Sequence, residues 1–214
     1  MTVDATAAAA WAHHVRVRVR PEARAAFERA ARAGVGALLE APNFLSRTLL
    51  RSQLDPTVCF QQSVWRAEPP PEVLVLPATA LAEPAVDEAC DVVFDEVAEP
   101  HVVADASHPW TFHVTVRVQP GGGPVYERWK VAEGVGQRAA RGFIKRSLVR
   151  SRVDPHVYYY QSFWEDQRFS HAYSQSTTFT SLFEQLNPAP VFAVPMLRED
   201  CDIVLDVDAA HATA

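Results

Sequence analysis

The sequence has little of what marks a metalloprotein, a secreted disulfide-bonded protein or a nucleic-acid-binding protein. Its three cysteines, Cys59, Cys90 and Cys201, lie far apart and form no CxxC motif, which argues against a zinc site or a disulfide framework and favours a reducing compartment. No apolar run approaches the roughly 20 residues that a membrane helix requires. The net charge is −6 and no basic tract is present, which argues against nucleic-acid binding. We therefore expect a soluble, cytoplasmic protein with no membrane or nucleic-acid partner.

Signals for a tightly bound cofactor are also missing. The eight histidines form neither HxH nor HExxH, and the adjacent His13 and His14 would point to opposite faces of a strand. The glycines at 121–123 form a bare turn and not the GxGxxG motif that cradles a nucleotide phosphate. The sequence therefore predicts no metal site and no tightly bound nucleotide.

What is present is one sequence pattern that occurs twice. Residues 44–65 return 99 residues later as residues 143–164, with 11 of 22 positions identical. The similarity extends to HVRVRVRP from His14 and HVTVRVQP from His113. A repeat of roughly 100 residues has the size of a small domain, whereas solenoid units have periods of about 20 to 50 residues. The chain is therefore predicted to contain two homologous, fused domains.

Each half is predicted to follow the order strand, helix, strand, strand, helix, strand. In the second half, alternating hydrophobicity indicates strands, 3.6-residue periodicity indicates helices, and Asp154-Pro155 marks a hairpin turn. The predicted elements span residues 112–118, 125–140, 143–152, 156–164, 168–186 and 201–207.

This order is that of the ferredoxin-like split βαβ fold, in which both helices lie on one face of a four-stranded antiparallel sheet. In a duplicated chain the two bare sheet faces can cover each other. We therefore expect an α+β protein of two fused ferredoxin-like βαββαβ domains that form an intrachain dimeric α+β barrel. Residues 12–98 are the first repeat, residues 99–110 a linker, and residues 111–208 the second repeat.

The first half departs from this pattern at its second helix. Only 24 residues separate Trp65 from Cys90, against 36 between Trp164 and Cys201, and the shorter segment contains five prolines. Proline inside a helix costs about 3 kcal/mol or more. The second helix of the first repeat is therefore predicted to be degenerate, and the second repeat, with its intact helix, is expected to be the active half.

The second repeat resembles a known family. YYYQSFWED, residues 158–166, ends a hairpin in Trp164 and precedes a helix that starts near His171. A domain of about 100 residues with this order and this Trp-to-helix segment is similar to the antibiotic biosynthesis monooxygenase family, and the resemblance covers nearly the whole chain, twice. Quinone-forming members place an Asn four residues before the Trp, where this chain has Tyr160.

The resemblance implies a monooxygenase that acts on a polycyclic aromatic, polyketide-type intermediate of secondary metabolism. Members often oxygenate fused-ring aromatics with O2 and no metal, whereas some use reduced flavin from a partner reductase. Both routes stay open here, so reduced flavin and a flavin reductase are alternative partners. Haem is not expected, although it is harder to exclude than a metal site because a single His can ligate it axially, and His171 would be that ligand.

Cofactor-free oxygenation requires a base, a cation or donor for the resulting anion, and a dry cavity. His171 and His113 are the expected bases, because imidazole has an unperturbed pKa of about 6.5. His113 has the repeat counterpart His14, which leaves a role in the fold as the alternative. His171 on an exposed helix would likewise have no catalytic role.

Trp164 is expected to form one wall of a flat pocket and to donate its indole N–H to a substrate or peroxide oxygen. Strand alternation places Tyr158, Tyr160 and Trp164 on one face, so a pocket that contains Trp164 should contain Tyr160. Trp65 at the matching position leaves a core role as the alternative.

Arginine on a sheet face can pair with an enolate, and aromatic side chains can line a cavity for an aromatic ligand. The same residues can instead pair with acids or fill the core. The catalytic candidates are Trp164, His171, His113 and Tyr160, and the substrate-binding candidates are Tyr158, Phe143, Arg146, Arg117, Tyr173, Phe179 and Phe183.

Two other functions stay open. The same scaffold could carry a non-redox cyclase or isomerase of polyketide intermediates with His171 as acid and base, or a pseudo-enzyme that only binds such a molecule. The sequence also leaves open whether two fused chains associate into a homodimer.

Overall fold

The computed structural model describes residues 11–69, 77–98, 109–187 and 189–209. These residues form two compact units. Unit 1 comprises the described residues up to Val92 and those from Val204 onward, and unit 2 comprises Val93–Ile203.

Unit 1 contains the first repeat. Val15 and Val17 alternate along its first strand and pack with Phe27 of its first helix. Between its third and fourth strands, the described residues include a 3-10 turn, Ala78–Ala80, and residues 70–76, where the degenerate second helix was expected, lie outside the described residues. Its elements are β1 (Trp11–Arg18), α1 (Arg24–Ala33), α2 (Val35–Glu40), β2 (Phe44–Ser52), β3 (Val58–Trp65) and the first part of β4 (Val86–Val97).

Unit 2 contains the second repeat with both helical segments. Its strands pair antiparallel in the order β8, β5, β7, β6, with Val114 opposite Tyr160 and Leu148 opposite Tyr160 on its other side. Its elements are β5 (Trp110–Arg117), α3 (Gly123–Ala139), β6 (Phe143–Ser151), β7 (Val157–Trp164), α4 (Gln167–Ser174), α5 (Thr177–Leu186) and the first part of β8 (Leu197–Asp208).

Unit 2 therefore has the full ferredoxin-like order, and the described residues of unit 1 have the same order of strands and first helix. The prediction of two fused ferredoxin-like α+β domains is confirmed. The proposed linker at 99–110 lies outside the described residues except for its last two positions.

The central strands of unit 2 are buried on both faces. Phe112, Val114 and Val116 join the aromatic core on one face of β5, while Thr111 and His113 on the other face are also buried. The alternation of residues 112–118 is typical of a half-buried strand, but β5 differs because Thr111 and His113 on its second face are covered as well.

The helix predicted over residues 168–186 is two helices. Ser176 is extended, with φ −70° and ψ 152°, and its side chain accepts a hydrogen bond from the Phe179 N–H. A serine that caps a helix in this way starts a new one, so α4 ends at Ser174 and α5 begins at Thr177. Asn187, with φ 40°, ends α5 in the left-handed conformation, as the Asn-Pro signal predicted.

The buried face of α3 also differs from the predicted one. The helical spacing of Val125, Trp129, Ala132, Val135 and Ala139 predicts that these residues share the buried face, yet Val135 and Ala139 are exposed. The buried side chains of α3 are mostly aromatic or polar, and they are Tyr126, Trp129, Lys130, Glu133 and Gln137.

Candidate active site

Unit 2 encloses a cavity of about 200 Å³ between one face of its sheet and its three helices. Aromatic and aliphatic side chains supply most of the wall, and the half-exposed side chains of Met196 and Arg198 stand at its rim. The lining residues are Phe112 and Val114 on β5, Tyr126, Trp129, Lys130, Glu133 and Gln137 on α3, Tyr160 and Trp164 on β7, Ser170, Tyr173 and Ser174 on α4, Phe179 on α5, Met196, and Arg198 on β8.

Strand alternation on β7 positions the sheet side of the cavity. Tyr160 and Trp164 lie four residues apart on one face and both line it, as the sequence predicted. Tyr159 on the opposite face stacks instead on His113, with ring centroids 6.1 Å apart.

The cavity contains a buried ion pair. Lys130 and Glu133 are only 4% and 5% exposed, and the Lys130 ammonium donates to a Glu133 carboxylate oxygen one helical turn away. The same ammonium lies 3.5 Å from the ring centroid of Tyr160 and 5.0 Å from that of Trp129, which adds cation–π attraction. An ion pair removed from water in this way is costly unless its charges are well compensated.

A hydrogen-bond network supports this pair from behind. The Gln137 side-chain amide and the Tyr160 hydroxyl bond each other at 3.0 to 3.1 Å. Arg146 Nη1 donates to the Lys130 backbone carbonyl at 2.6 Å and to Gln137 Oε1 at 3.3 Å. Arg146 is fully buried and its Nε donates to Glu96 Oε2 at 2.8 Å, so a second, separate ion pair fixes the position of the first.

The tyrosines around the cavity are poor candidates for bases. Burial raises the pKa of Tyr126 and of Tyr173 above the ordinary range. Burial, with a hydrogen bond to Glu127, raises the pKa of Tyr158 to about 12. These phenols therefore stay protonated at neutral pH.

Trp164 forms a wall of the cavity, but its indole N–H is already engaged. Trp164 Nε1 donates to Ser162 Oγ at 2.9 Å, and Trp65 Nε1 donates to Ser63 Oγ at 3.1 Å at the matching position of unit 1. Because both repeats keep this bond, it belongs to the fold. The structure therefore contradicts the expected donation from Trp164 to a substrate oxygen.

The structure brings together part of the predicted set. Trp164, Tyr160, Tyr173 and Phe179 line the cavity. Four others lie behind the lining. Phe143 packs edge-on against Trp164, Phe183 packs against Trp129, Tyr158 bonds Glu127, and Arg146 holds Gln137.

The remaining three predicted residues do not reach the cavity. His171 is exposed on α4, with its ring nitrogen 3.0 Å from Gln175 Nε2, because the residues of α4 that turn inward are Ser170 and Tyr173. His113 points to the opposite face of β5, and Arg117 is an exposed partner of Asp154 at 2.6 Å. The structure therefore gives neither histidine the position of a base at the cavity.

Four further residues that line the cavity were not among the predicted site residues: Lys130, Glu133, Gln137 and Arg198. Charged residues on a helix usually face solvent, which is why hydrophobic spacing alone passed over the first two. A usable signal was available in the duplication. At the repeat offset of 99 residues, the three α3 residues correspond to Ala31, Gly34 and Leu38 of the first repeat.

Unit 1 has a more open depression beside its 3-10 turn. It is lined by Ala78, Leu81, Ala82, Glu83, Pro84, Ala85 and Asp87. None of the described residues that line it is aromatic.

No group of three or more His, Cys, Asp or Glu side chains in the described part of the chain could hold a metal ion. Within the same residues, none of the helices combines the length and the apolar character that a bilayer span requires.

Comparison with known proteins identifies the fold. The antibiotic biosynthesis monooxygenase family model matches residues 11–70, in the first repeat. No curated protein matches the sequence.

Several solved structures resemble nearly the whole chain. A "putative monooxygenase" from Fusobacterium nucleatum has a TM-score of 0.77 at 8% identity, covering 94% of this chain and 95% of that one. A protein of the same name from Lactobacillus acidophilus also has a TM-score of 0.77, at 7% identity over 94% and 97%. An anthrone oxidase-like protein has a TM-score of 0.60 at 13% identity over 95% and 94%. At these identities the likeness concerns the fold.

Proposed function

Because this chain carries an antibiotic biosynthesis monooxygenase domain and repeats its fold in tandem, we propose that unit 2 is an oxygenase for a compact, flat aromatic substrate. The finer proposal is a polycyclic phenol or anthrone of the kind that polyketide assembly produces. The observation that carries it is the aromatic-lined cavity of unit 2, with a charged pair as its main polar feature.

The lining suits such a ligand. Phe112, Tyr160, Trp164 and Phe179 offer ring faces and edges to a planar molecule, and offset or edge-on contacts between aromatic rings are favourable. The volume of about 200 Å³ lies below the roughly 300 to 1,000 Å³ typical of ligand pockets, which favours a compact substrate over an extended one.

The chemistry begins with loss of a substrate proton. The resulting anion is electron-rich enough to pass one electron to O2, which gives an organic radical and superoxide. Their combination forms a C–O bond and a hydroperoxide, and loss of water from the hydroperoxide leaves a carbonyl. For an anthrone the balance is one substrate and one O2 to one anthraquinone and one water. The buried cavity favours each step, because it keeps water away from the anion and the radical pair.

The direct test is oxygen uptake with anthrone as the probe substrate, a choice suggested by the name of one similar structure. We expect one O2 consumed for each anthraquinone formed, with one 18O atom from 18O2 in the product. Ser174→Trp, which fills the rim of the cavity, should abolish turnover, while Ser181→Trp on the exposed side of α5 should not. Equal rates for both variants would contradict the assignment of the cavity.

The two rival functions give different outcomes in the same assay. A cyclase or isomerase would convert a polyketide-type substrate equally well under nitrogen. A binding protein would take up the ligand without changing it.

We propose that the reaction needs no tightly bound cofactor, with free reduced flavin as the alternative route. Parallel reactions with anthrone alone and with reduced flavin mononucleotide plus a general flavin reductase distinguish the two. Uptake of O2 with anthrone alone supports the cofactor-free route, and uptake that appears only with flavin supports the other.

A further inference from the structure

The buried ion pair of unit 2 is more than a support for the fold. Lys130 and Glu133 sit on adjacent turns of α3 and both face the cavity. Replacing a buried ion pair by well-packed apolar residues is often neutral or stabilising, and the first repeat has Ala31 and Gly34 at the positions 99 residues earlier. The fold therefore forms without this ion pair. We infer that the pair has a function in the cavity of unit 2.

We propose that Glu133 takes the acidic proton of a bound phenol or enol and that Lys130 holds the oxyanion that results. This inference rests on the proposed function, since it names the groups that generate the reactive anion. In the step, the substrate O–H bond breaks and an O–H bond forms on Glu133. The electron pair stays on the substrate oxygen, and Lys130 exchanges one anionic partner for another.

Charge balance favours this step. Before it, the pair is one cation and one anion, and after it Lys130 faces the substrate oxyanion while Glu133 is a neutral acid. Lys130, Glu133 and the substrate together therefore carry no net charge at either stage. A proton transfer that created net charge in so dry a site would be opposed by several kcal/mol of desolvation, whereas this one only moves the negative charge between two oxygens.

Contacts other than the ion pair hold Lys130 in place when the substrate oxyanion replaces Glu133 as its anionic partner. Its ammonium also lies over the rings of Tyr160 and Trp129, and its backbone carbonyl is bonded by Arg146. Arg146 is itself committed to Glu96 at 2.8 Å. The neighbouring cation therefore already has a carboxylate partner, which it shares with Arg138.

Other titratable or charged groups face the pair from the elements around it. They are Tyr126 on α3, Arg146 on β6 with its partner Glu96 on β4, Tyr160 on β7, Tyr173 on α4 and Arg198 on β8. The lining residues on β5 and α5, Phe112, Val114 and Phe179, are apolar. Among the lining side chains described, Glu133 is the only carboxylate, which makes it the base that the geometry offers.

The test uses a hydroxyanthraquinone, whose neutral and ionised forms absorb at different visible wavelengths and which is already oxidised. It is titrated anaerobically into the full-length protein at pH values below its own pKa. The wild type should bind it as the anion with an affinity that does not change with pH, because the released proton stays on Glu133. Glu133→Gln should also bind the anion, but its affinity should fall about tenfold for each unit of decreasing pH, because the proton must leave to solvent.

Lys130→Met should bind the probe only in its neutral form. The double variant K130M/E133Q, which leaves no unpaired charge, should do the same. Circular dichroism and thermal melting establish that each variant is folded. The matched controls are Lys145→Met, at the one other lysine of the chain, and Glu184→Gln on the exposed side of α5; both should behave as the wild type.

The inference is overturned if the wild type binds the probe in its neutral form. It is also overturned if both single variants bind the anion with the same pH dependence of affinity as the wild type. Its failure is separable from that of the proposed function. If the probe binds as the anion but the protein consumes no O2 with anthrone, the oxygenase proposal fails and the proton-transfer site stands. If the protein consumes O2 with anthrone but binds the probe in its neutral form, the oxygenase proposal stands and the proton-transfer site fails.

Discussion

The guanidinium of Arg146 rests directly on the backbone of Gly134. A Cβ built at Gly134 would lie 1.7 Å from Arg146 Nη2 and 2.2 Å from Cζ. The absence of a side chain at this position is what lets a fully buried arginine pass under α3 and reach the Lys130 carbonyl and Gln137. One glycine thus determines the position of the network behind the cavity.

Gly134→Ala should therefore destabilise unit 2. Alanine is favoured over glycine in a helix by about 1 kcal/mol, but the added methyl group must displace Arg146, and overpacking of a core costs about 1 to 3 kcal/mol. We expect a net loss of stability and a lower rate with anthrone, because Gln137 and Lys130 lose their support. Urea unfolding and oxygen uptake measure the two effects.

The first repeat supplies the matched control. A Cβ at Gly34 would meet nothing closer than 3.7 Å, and Gly34 has φ −76°. Gly34→Ala should be neutral or stabilising by up to about 1 kcal/mol. Equal destabilisation by the two substitutions would show that the contact with Arg146 is not the cause.

The sequence predicted those features that follow from local periodicity and from the duplication. Alternation along β7 put Tyr160 and Trp164 together, and both line the cavity. The ion pair of α3 escaped prediction because hydrophobic spacing cannot distinguish a charged side chain that faces a cavity from one that faces solvent. His171 was misplaced for a related reason, since proximity to Trp164 in sequence does not fix which side of α4 turns inward.

Trp164→Phe and Trp65→Phe should separate catalysis from stability. Both remove an indole that bonds a buried serine hydroxyl, and leaving such a group unsatisfied costs about 1 to 3 kcal/mol. We expect similar decreases in melting temperature, but loss of turnover only for Trp164→Phe. Truncation of Trp65 to alanine should cost more, about 3 to 5 kcal/mol. A Trp65→Phe variant with unchanged melting and lost turnover would move the active site to unit 1.

His171→Ala should leave oxygen uptake unchanged. The side chain is exposed and contacts Gln175 on its own helix, and surface substitutions of this kind usually change stability by no more than about 0.5 kcal/mol. The initial rate with anthrone from pH 6 to 8 is the measurement. A large loss with the fold intact would restore His171 as the base and contradict the role of Glu133.

The turn of the first hairpin should contribute to stability against acid. The Asp55 carboxylate accepts three hydrogen bonds, from the Thr57 hydroxyl at 2.6 Å, from the Thr57 backbone N–H at 3.0 Å and from the Arg18 guanidinium at 2.6 Å. Together these bonds lower the pKa of Asp55 to about 2. An unfolded aspartate has a pKa of about 3.9, so the folded protein favours the ionised form. This contribution is fully present above about pH 4 and is lost as the pH falls through about 2.

Urea midpoints between pH 5 and 2 should therefore decline less steeply in Asp55→Asn than in the wild type. Thr57→Val, which removes the first of these donors, should give an intermediate slope, and parallel curves for all three proteins would contradict the assignment.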